Sequence, residues 1–414
     1  MSISPDTRAD IARFWSTIER SAGIGPGRPG GLSRLTLTDA DREMREQFTD
    51  WCRAAGLEVS VDEMGNIFGR RAGREDALPP VMIGSHLDTQ VNGGRFDGIA
   101  GVLAGLEVVR CLNDAGHVTR RPLVVVNWTN EEGARFSPPM IGSGVFAGRY
   151  ALDWAHGLRD DDGARLGDEL ARIGYNGDRP CQAGEIDAYL ELHIEQGPIL
   201  DAERREMGVV TGGYPSHGMR VTFSGQTAHT GPTPMDLRRN ALVAGARWLT
   251  AVDDLGWVFS VQDGKASGSR LAAWPNKAGI LSDTAEAVAD VRHPDPMAVR
   301  VMAERMRRDA QAAAAIAGCT LRIEDEWSWG GDIFDTDLIE TVRSEAIRQG
   351  WNWRDIKSQA GHDAYHLATI CPTAMIFTPC KGGITHNNAE DCAPEDFSAG
   401  LNVLLHAVVS RADR

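Results

Sequence analysis

VMIGSHLDTQVNGGRFDGIAGVLAGLEVVRCL, residues 81–112, sets the architecture of this chain. Residues 81–85 form a short, unbroken apolar run of strand length, residues 99–112 carry apolar side chains at helical spacing, and LVVVNW at 123–128 follows as a second buried strand. Strand, helix and strand in that order make a parallel crossover, the unit of an α/β fold with a mixed, mainly parallel sheet flanked by helices. Sites in such sheets form beyond the C-terminal ends of the strands, where His86 and the pair Glu131-Glu132 fall.

Further along, the pattern changes near residues 208–213. Residues 219–223 alternate like a half-exposed strand, 238–252 are helical, 279–291 are strand-like with a central turn, and 296–317 form an Ala- and Arg-rich helix. A β-α-β-β-α-β order predicts a small α+β, ferredoxin-like unit with a mostly antiparallel sheet. Helix-then-strand character returns at 338–349 and 373–377. The expected organisation is therefore a larger domain in two parts, 1–211 and 328–414, interrupted by an inserted domain at 212–327. Residues 23–31 are a Gly/Pro-rich loop, long enough for a lid or a connector.

The 414 residues exceed one ordinary core, and 42% apolar with 24% charged content is that of a globular protein. No window approaches the roughly 20 apolar residues of a membrane span. A net charge of -15 argues against nucleic acid as a partner. Seven cysteines without a CxxC pair fit buried thiols in a reducing compartment. With a polar start leading into an amphipathic stretch (Ile11, Phe14, Trp15, Ile18), no signal peptide is read, and a cytoplasmic location is expected.

Five side chains of metal-ligand type stand at strand ends: His86, Asp97, one of the Glu131-Glu132 pair, His193 and His386. Asp88, two residues after His86, is placed to hold the other ring nitrogen of that histidine. Asp97 sits among glycines at a helix start, either aimed into a pocket or capping the helix. Adjacent glutamates repel unless a cation is near, so one of the pair suits a metal and the other a water. Each feature alone has a structural explanation, but five together point to a two-metal hydrolytic site with its own general base.

These residues lie in GSHLDT (84–89), NGGRFDGIAGVLAGLE (92–107), NEEGARF (130–136), ELHIEQGP (191–198), GQTAHTGPTPM (225–235), ADVRHPD (289–295), AGHDA (360–364) and THNNAE (385–390). In that order they resemble the M20-type metal-dependent amidohydrolases, and within them the hydantoinase/carbamoylase branch. The resemblance implies two divalent ions, zinc first, with manganese, cobalt or nickel compatible. His86, Asp97 and His193 would hold one ion and Asp97, Glu132 and His386 the other, with Glu131 as general base. It also implies a homodimer through the inserted dimerisation or lid domain, with the partner subunit supplying His229 to the oxyanion and Arg292 to the substrate carboxylate. Gln196 and His362 would contact substrate, and the peptide Asp97-Gly98 would be cis.

One stretch departs from the family. An asparagine expected thirteen residues before the arginine is replaced by Gly279, so Asn276 substitutes for it, or the acid group is held differently, or the substrate is larger. The stretch GGYPSH at 212–217 is also unlike the common carbamoylases. The expected activity is hydrolysis of an N-carbamoyl-L-amino acid or N-carbamoyl-β-amino acid. An allantoate-type amidohydrolase or a hydrolase of another N-acyl amino acid is the alternative, and a non-catalytic binder of a small acid the remote one.

Overall fold

The computed structural model describes residues 3–414. The strands are β1 (Glu58–Val61), β2 (Ile67–Arg71), β3 (Val81–His86), β4 (Leu123–Trp128), β5 (Ala188–Ile194), β6 (Met207–Ser224), β7 (Lys265–Trp274), β8 (Thr284–Arg292), β9 (Thr320–Gly331), β10 (Trp353–Ser358) and β11 (Thr373–Thr378). The chain divides into two compact units, one made of the residues up to Gly212 and from Asp332 onward, the other of Gly213–Gly331.

In the first unit β4, β3, β5 and β11 lie side by side in parallel. β2 and β1 extend the sheet antiparallel beyond β4, and Gly208 to Val210 of β6 pair antiparallel with β11. Every residue of the four parallel strands is buried, which is why they read as continuous apolar runs rather than alternating ones. The helices Ile99–Asp114 and Phe397–Ala412 are themselves almost wholly buried against this sheet. The helix Thr336–Gln349 begins two residues before the apolar periodicity because the Asp335 carboxylate accepts from Leu338 N at 2.8 Å, and Gly350 ends it with φ 78°. No helix among the described residues is long and apolar enough to cross a membrane.

In the second unit the strand order is β9-β6-β8-β7, antiparallel throughout. The helices Ala241–Phe259 and Pro296–Ile316 cover one face, where Met219, Val221, Phe223 and the Ala285-Ala287-Ala289-Val291 row meet Trp248, Met302 and Met306. Two details differ from the sequence reading. The hairpin pairs β7 with β8, not two halves of 279–291: β7 is an edge strand with almost every residue exposed, so KASGSRLAAW carries no burial pattern to read. The boundary expected after Trp327 falls inside β9, which stays paired with β6 as far as Gly213↔Gly331.

His366, buried beside Tyr150, gives the first unit an acid-labile point. Burial, aided by Arg149, lowers its pKa to about 4. The unfolded chain takes up the proton near pH 6.5 and the folded one does not. The stability in question is therefore complete above pH 6.5 and lost as pH falls toward 4, by about 3 kcal/mol. A His366→Phe variant is expected to flatten that segment of a stability profile measured by urea unfolding between pH 7 and 4.

Candidate metal centre

His86 ends β3, His193 lies one residue before the end of β5, Glu131-Glu132 follow β4 by a tight turn, and His386 sits in the loop after β11. Parallel neighbours in register bring those ends together, with His86 opposite Trp128 and His193 opposite Phe377. Asp97 enters from the turn before the helix Ile99–Asp114. Its two neighbouring glycines are demanded by contact: a Cβ on Gly94 would stand 1.8 Å from the Glu390 carboxyl carbon, and one on Gly98, at φ 67°, would stand 2.1 Å from His86 Nε2. Ile99 N donates to Asp97 O at 2.7 Å across Gly98, so the backbone reverses through a γ-turn. The cis peptides among the described residues are Ser137-Pro138 and Trp274-Pro275, so the cis bond expected at Asp97-Gly98 is not formed; the glycine φ makes the turn instead.

The structure groups the five expected ligands into two sets of three, and a third set, Glu191, His193 and His362, shares only His193 with them. The ligating atoms of His86, Asp97 and His193 lie within 4.8 Å of one another, as do those of Asp97, Glu132 and His386, so Asp97 belongs to both. Main-chain oxygens fix two of the rings: His86 Nδ1 lies 2.9 Å from Asp88 O and His193 Nδ1 2.9 Å from Ile194 O. A carbonyl only accepts, so each Nδ1 carries the proton and each neutral ring turns its Nε2 lone pair inward. His193 Nε2 faces Asp97 Oδ1 at 3.3 Å, with Gly98 N donating to it at 3.2 Å. A lone pair set against a carboxylate oxygen is the arrangement a cation resolves, and the donors fit that group.

The charges agree. Burial, then Asp363 and Glu132, push the Glu131 carboxyl well above its usual range, and burial does the same to Asp88. Burial lowers the His86 pKa. Burial would raise Asp97, but the hydrogen bond and charge of His386 outweigh it and hold this carboxyl below its ordinary value. His386 lies 3.1 Å from Asp97 Oδ2 and 3.2 Å from Glu132 Oε2. Burial pulls its pKa down, but Glu132 and Asp97 raise it to about 11, so an imidazolium takes the place a cation would fill.

Glu131 stands outside both sets, with Oε2 3.3 Å from His86 Nε2. Asp88 meets His86 by its main-chain oxygen and not by the carboxylate expected to hold the ring; that carboxylate, 3.8 Å from Nδ1, instead accepts from Glu131 N and Glu132 N at 3.3 Å each. Gln196, at φ 59°, donates Nε2 to Asp97 Oδ2 at 2.8 Å and leaves its Oε1 buried without a partner. His362, expected at the substrate, is only 1% exposed: Nε2 meets Ser358 Oγ at 2.9 Å and the ring packs edge-on to His193 at 4.5 Å. It supports a ligand ring rather than facing an open pocket.

Sequence reasoning missed Glu390 and Gln90. Glu390 accepts from Phe96 N at 2.8 Å and Asp97 N at 3.2 Å, locking the Asp97 turn to the His386 loop, and Gln90 donates N and Nε2 to Glu132 at 3.0 and 3.1 Å. Glu390 stands in THNNAE, and its carboxylate so close to a ligand was the available signal. The 23–31 loop is tied down on the same side: Leu32 N donates to Gly93 O at 2.9 Å and Asn388 Nδ2 to Pro29 O at 3.0 Å.

In the second unit, His229 accepts from Gly231 N at Nδ1 (3.0 Å), so a neutral ring carries its proton on Nε2, and His229 bridges Ile280 next to Gly279. A Cβ on Gly279 would meet nothing within 4 Å, and Asn276 is exposed in the same loop. Arg292 is at the other end of β8, whose Thr284 pairs with Ser224 and whose Arg292 pairs with Ser216. At about 3.3 Å per residue the two ends are roughly 26 Å apart. His229 and Arg292 therefore stand toward opposite ends of β8.

Residues 82–410 match the peptidase family M20/M25/M40. The chain belongs to this family. M20 enzymes are metal-dependent, and this M20 chain is a hydrolase acting on C–N bonds, which sets aside the non-catalytic binder. It is 45% identical over 407 residues, 98% of this chain and 97% of the relative, to an N-carbamoyl-L-amino-acid amidohydrolase of Rhizobium meliloti. With an allantoate amidohydrolase of Escherichia coli (strain K12) it shares 31% over 417 residues, 95% of this chain and 97% of the relative. The crystal structure of an amidase of the hydantoinase/carbamoylase family from Burkholderia vietnamiensis, 44% identical, superposes with a TM-score of 0.95 over 100% of both chains.

Proposed function

We propose that this M20 hydrolase cleaves the ureido C–N bond of an N-carbamoyl-L-amino acid or N-carbamoyl-β-amino acid, using two divalent cations. The observation that carries the reading is Asp97, common to two complete donor sets, with the spare carboxylate of Glu131 beside them. His86, Asp97 and His193 would hold one ion and Asp97, Glu132 and His386 the other; zinc, manganese, cobalt and nickel all suit such donors. When bound, the ions supply Lewis-acid polarisation and acidify water. Glu131 takes the proton from the attacking water and returns it to the leaving nitrogen as the C–N bond breaks. The partnerless Oε1 of Gln196 accepts from a substrate N–H. His229 Nε2–H donates to the oxyanion, a contribution of about 3 kcal/mol for a single donor, and the planar fork of Arg292 holds the carboxylate.

Turnover on a panel of N-carbamoyl amino acids, allantoate and N-acyl amino acids, with added zinc, manganese or cobalt, tests this. The highest kcat/KM is expected on an N-carbamoyl-L-amino acid, and no hydrolysis of any ureido substrate would end the proposal. Allantoate-type activity is the second reading. The open space at Gly279 favours it, because that space admits a larger acid.

The proposed assembly is a homodimer through the second unit, in the cytoplasm. Its support is the unpaired edge of β7 with exposed Leu271 and Trp274, and the exposed Trp257, Val258 and Val261 nearby in sequence. The cysteines stand free, as a reducing compartment keeps them. Because His229 and Arg292 lie at opposite ends of β8, a site that uses both draws them from different copies. Co-expressed His229→Ala and Arg292→Ala chains, purified as a hybrid by two tags, are expected to recover about half of the parent turnover, since one of two sites is intact. No recovery would remove the shared-site arrangement.

A further inference from the structure

The face of the second unit's sheet opposite its helices carries a row that the sequence alone left without a use. Ser216 of β6 pairs with Arg292 of β8 on one side and Trp329 of β9 on the other, so these three side chains share a face. Gly218 pairs with Trp327 two residues on, and a Cβ there would stand 2.1 Å from the Trp327 ring, so that indole lies flat on the central strand. β6 thus carries two small residues here, Ser216 and Gly218, each paired with a tryptophan of β9.

Arg292 is held in this row from two directions. Its guanidinium carbon stands 4.8 Å from the centre of the Trp329 ring, within the range of a cation–π contact. Asp290, two residues earlier on the same face, accepts from Nε at 3.2 Å and Nη2 at 2.7 Å. A long arginine side chain has many rotamers, and fixing them before substrate arrives spares that cost on binding. We infer that Trp329 is a positioning residue that holds the Arg292 guanidinium against the sheet, ready for a carboxylate, and so sets affinity for acidic substrates without taking part in bond cleavage. The inference rests on the reading of Arg292 as the contact of the substrate carboxylate.

Steady-state kinetics of the manganese-reconstituted protein on N-carbamoyl-L-methionine test it, with Trp329→Ala, Trp329→Phe, Arg292→Gln and the Trp329→Ala/Arg292→Gln double variant. Trp329→Ala is expected to raise KM about tenfold, the scale of a partly desolvated cation–π contact, with kcat within about twofold of the parent. Trp329→Phe keeps an aromatic face and is expected to restore most of the affinity. In the Arg292→Gln background, Trp329→Ala is expected to add nothing, because its effect runs through the guanidinium. Additive losses in the double variant, or a fall in kcat that Phe does not rescue, would make Trp329 merely structural and overturn the inference. An unchanged KM in Trp329→Ala beside a raised one in Arg292→Gln would overturn it while leaving the reading of Arg292 intact. An unchanged KM in Arg292→Gln would remove that reading, and the inference with it.

Discussion

Glu131→Gln is expected to lose about 10³-fold or more in kcat while its metal content and fold persist. Glutamine fills the same volume, and Glu131 belongs to neither donor set, so the proposed ligands His86, Asp97, Glu132, His193 and His386 are untouched. What disappears is the proposed base, a carboxylate beside the centre able to take and return a proton. The environment of Glu131 supports the assignment: it is 7% exposed, pushed upward by burial and by Asp363 and Glu132, and within 3.3 Å of His86 Nε2. A group whose charge is so disfavoured costs stability when ionised, so the metal-free variant is also expected to melt no lower than the parent. Single-turnover rates with metal analysis by plasma emission decide it: full turnover with both ions bound would rule out Glu131 as the base.

Gly98→Ala is expected to have an effect of similar size by a different route. A Cβ at this position would collide with the His86 ring at 2.1 Å, and φ 67° is itself unfavourable for alanine by about 1 kcal/mol or more. Relief moves the imidazole or turns Asp97, and Asp97 belongs to both donor sets. A displacement of about 1 Å in such a constellation costs on the order of 10²-fold in rate, and here it also weakens metal binding. Gly116→Ala is the control: its φ of 61° is also positive, but its Cβ would meet nothing within 4 Å. Metal content and kcat/KM should fall in the first variant and hold in the second. Equal losses would mean that backbone strain, not contact with His86, is responsible.

Much of this molecule is legible in the sequence because burial leaves a pattern. β3 and β4 are buried along their whole length, so continuous Val/Ile runs mark them, and His86 and the Glu131-Glu132 pair fall where they end. β7 leaves no pattern because its side chains face water. Glu390 was missed because its partners are main-chain N–H groups of Phe96 and Asp97, which no residue type advertises. The Asp88 carboxylate likewise holds the Glu131-Glu132 turn rather than the ring two residues away, a choice set by backbone direction. The separation of His229 from Arg292 followed only from the strand register, since sequence distance says nothing about which end of a strand a residue occupies.

The parallel pairing of β11 with β5 has a consequence for synthesis. Thr378 and His193 touch across that pair although 185 residues apart in the chain. At about 5–20 residues per second, the ribosome leaves the outer edge of β5 unpaired for roughly 10–40 s after it has emerged. Val, Leu and Ile edges exposed for that long invite wrong partners. Unit Gly213–Gly331 is made entirely within this interval and carries its own core, so a nascent chain can complete it first. The chain acquires His386 and Glu390 only near its end, and until then His86, Asp97 and His193 lack the loop that completes the second donor set.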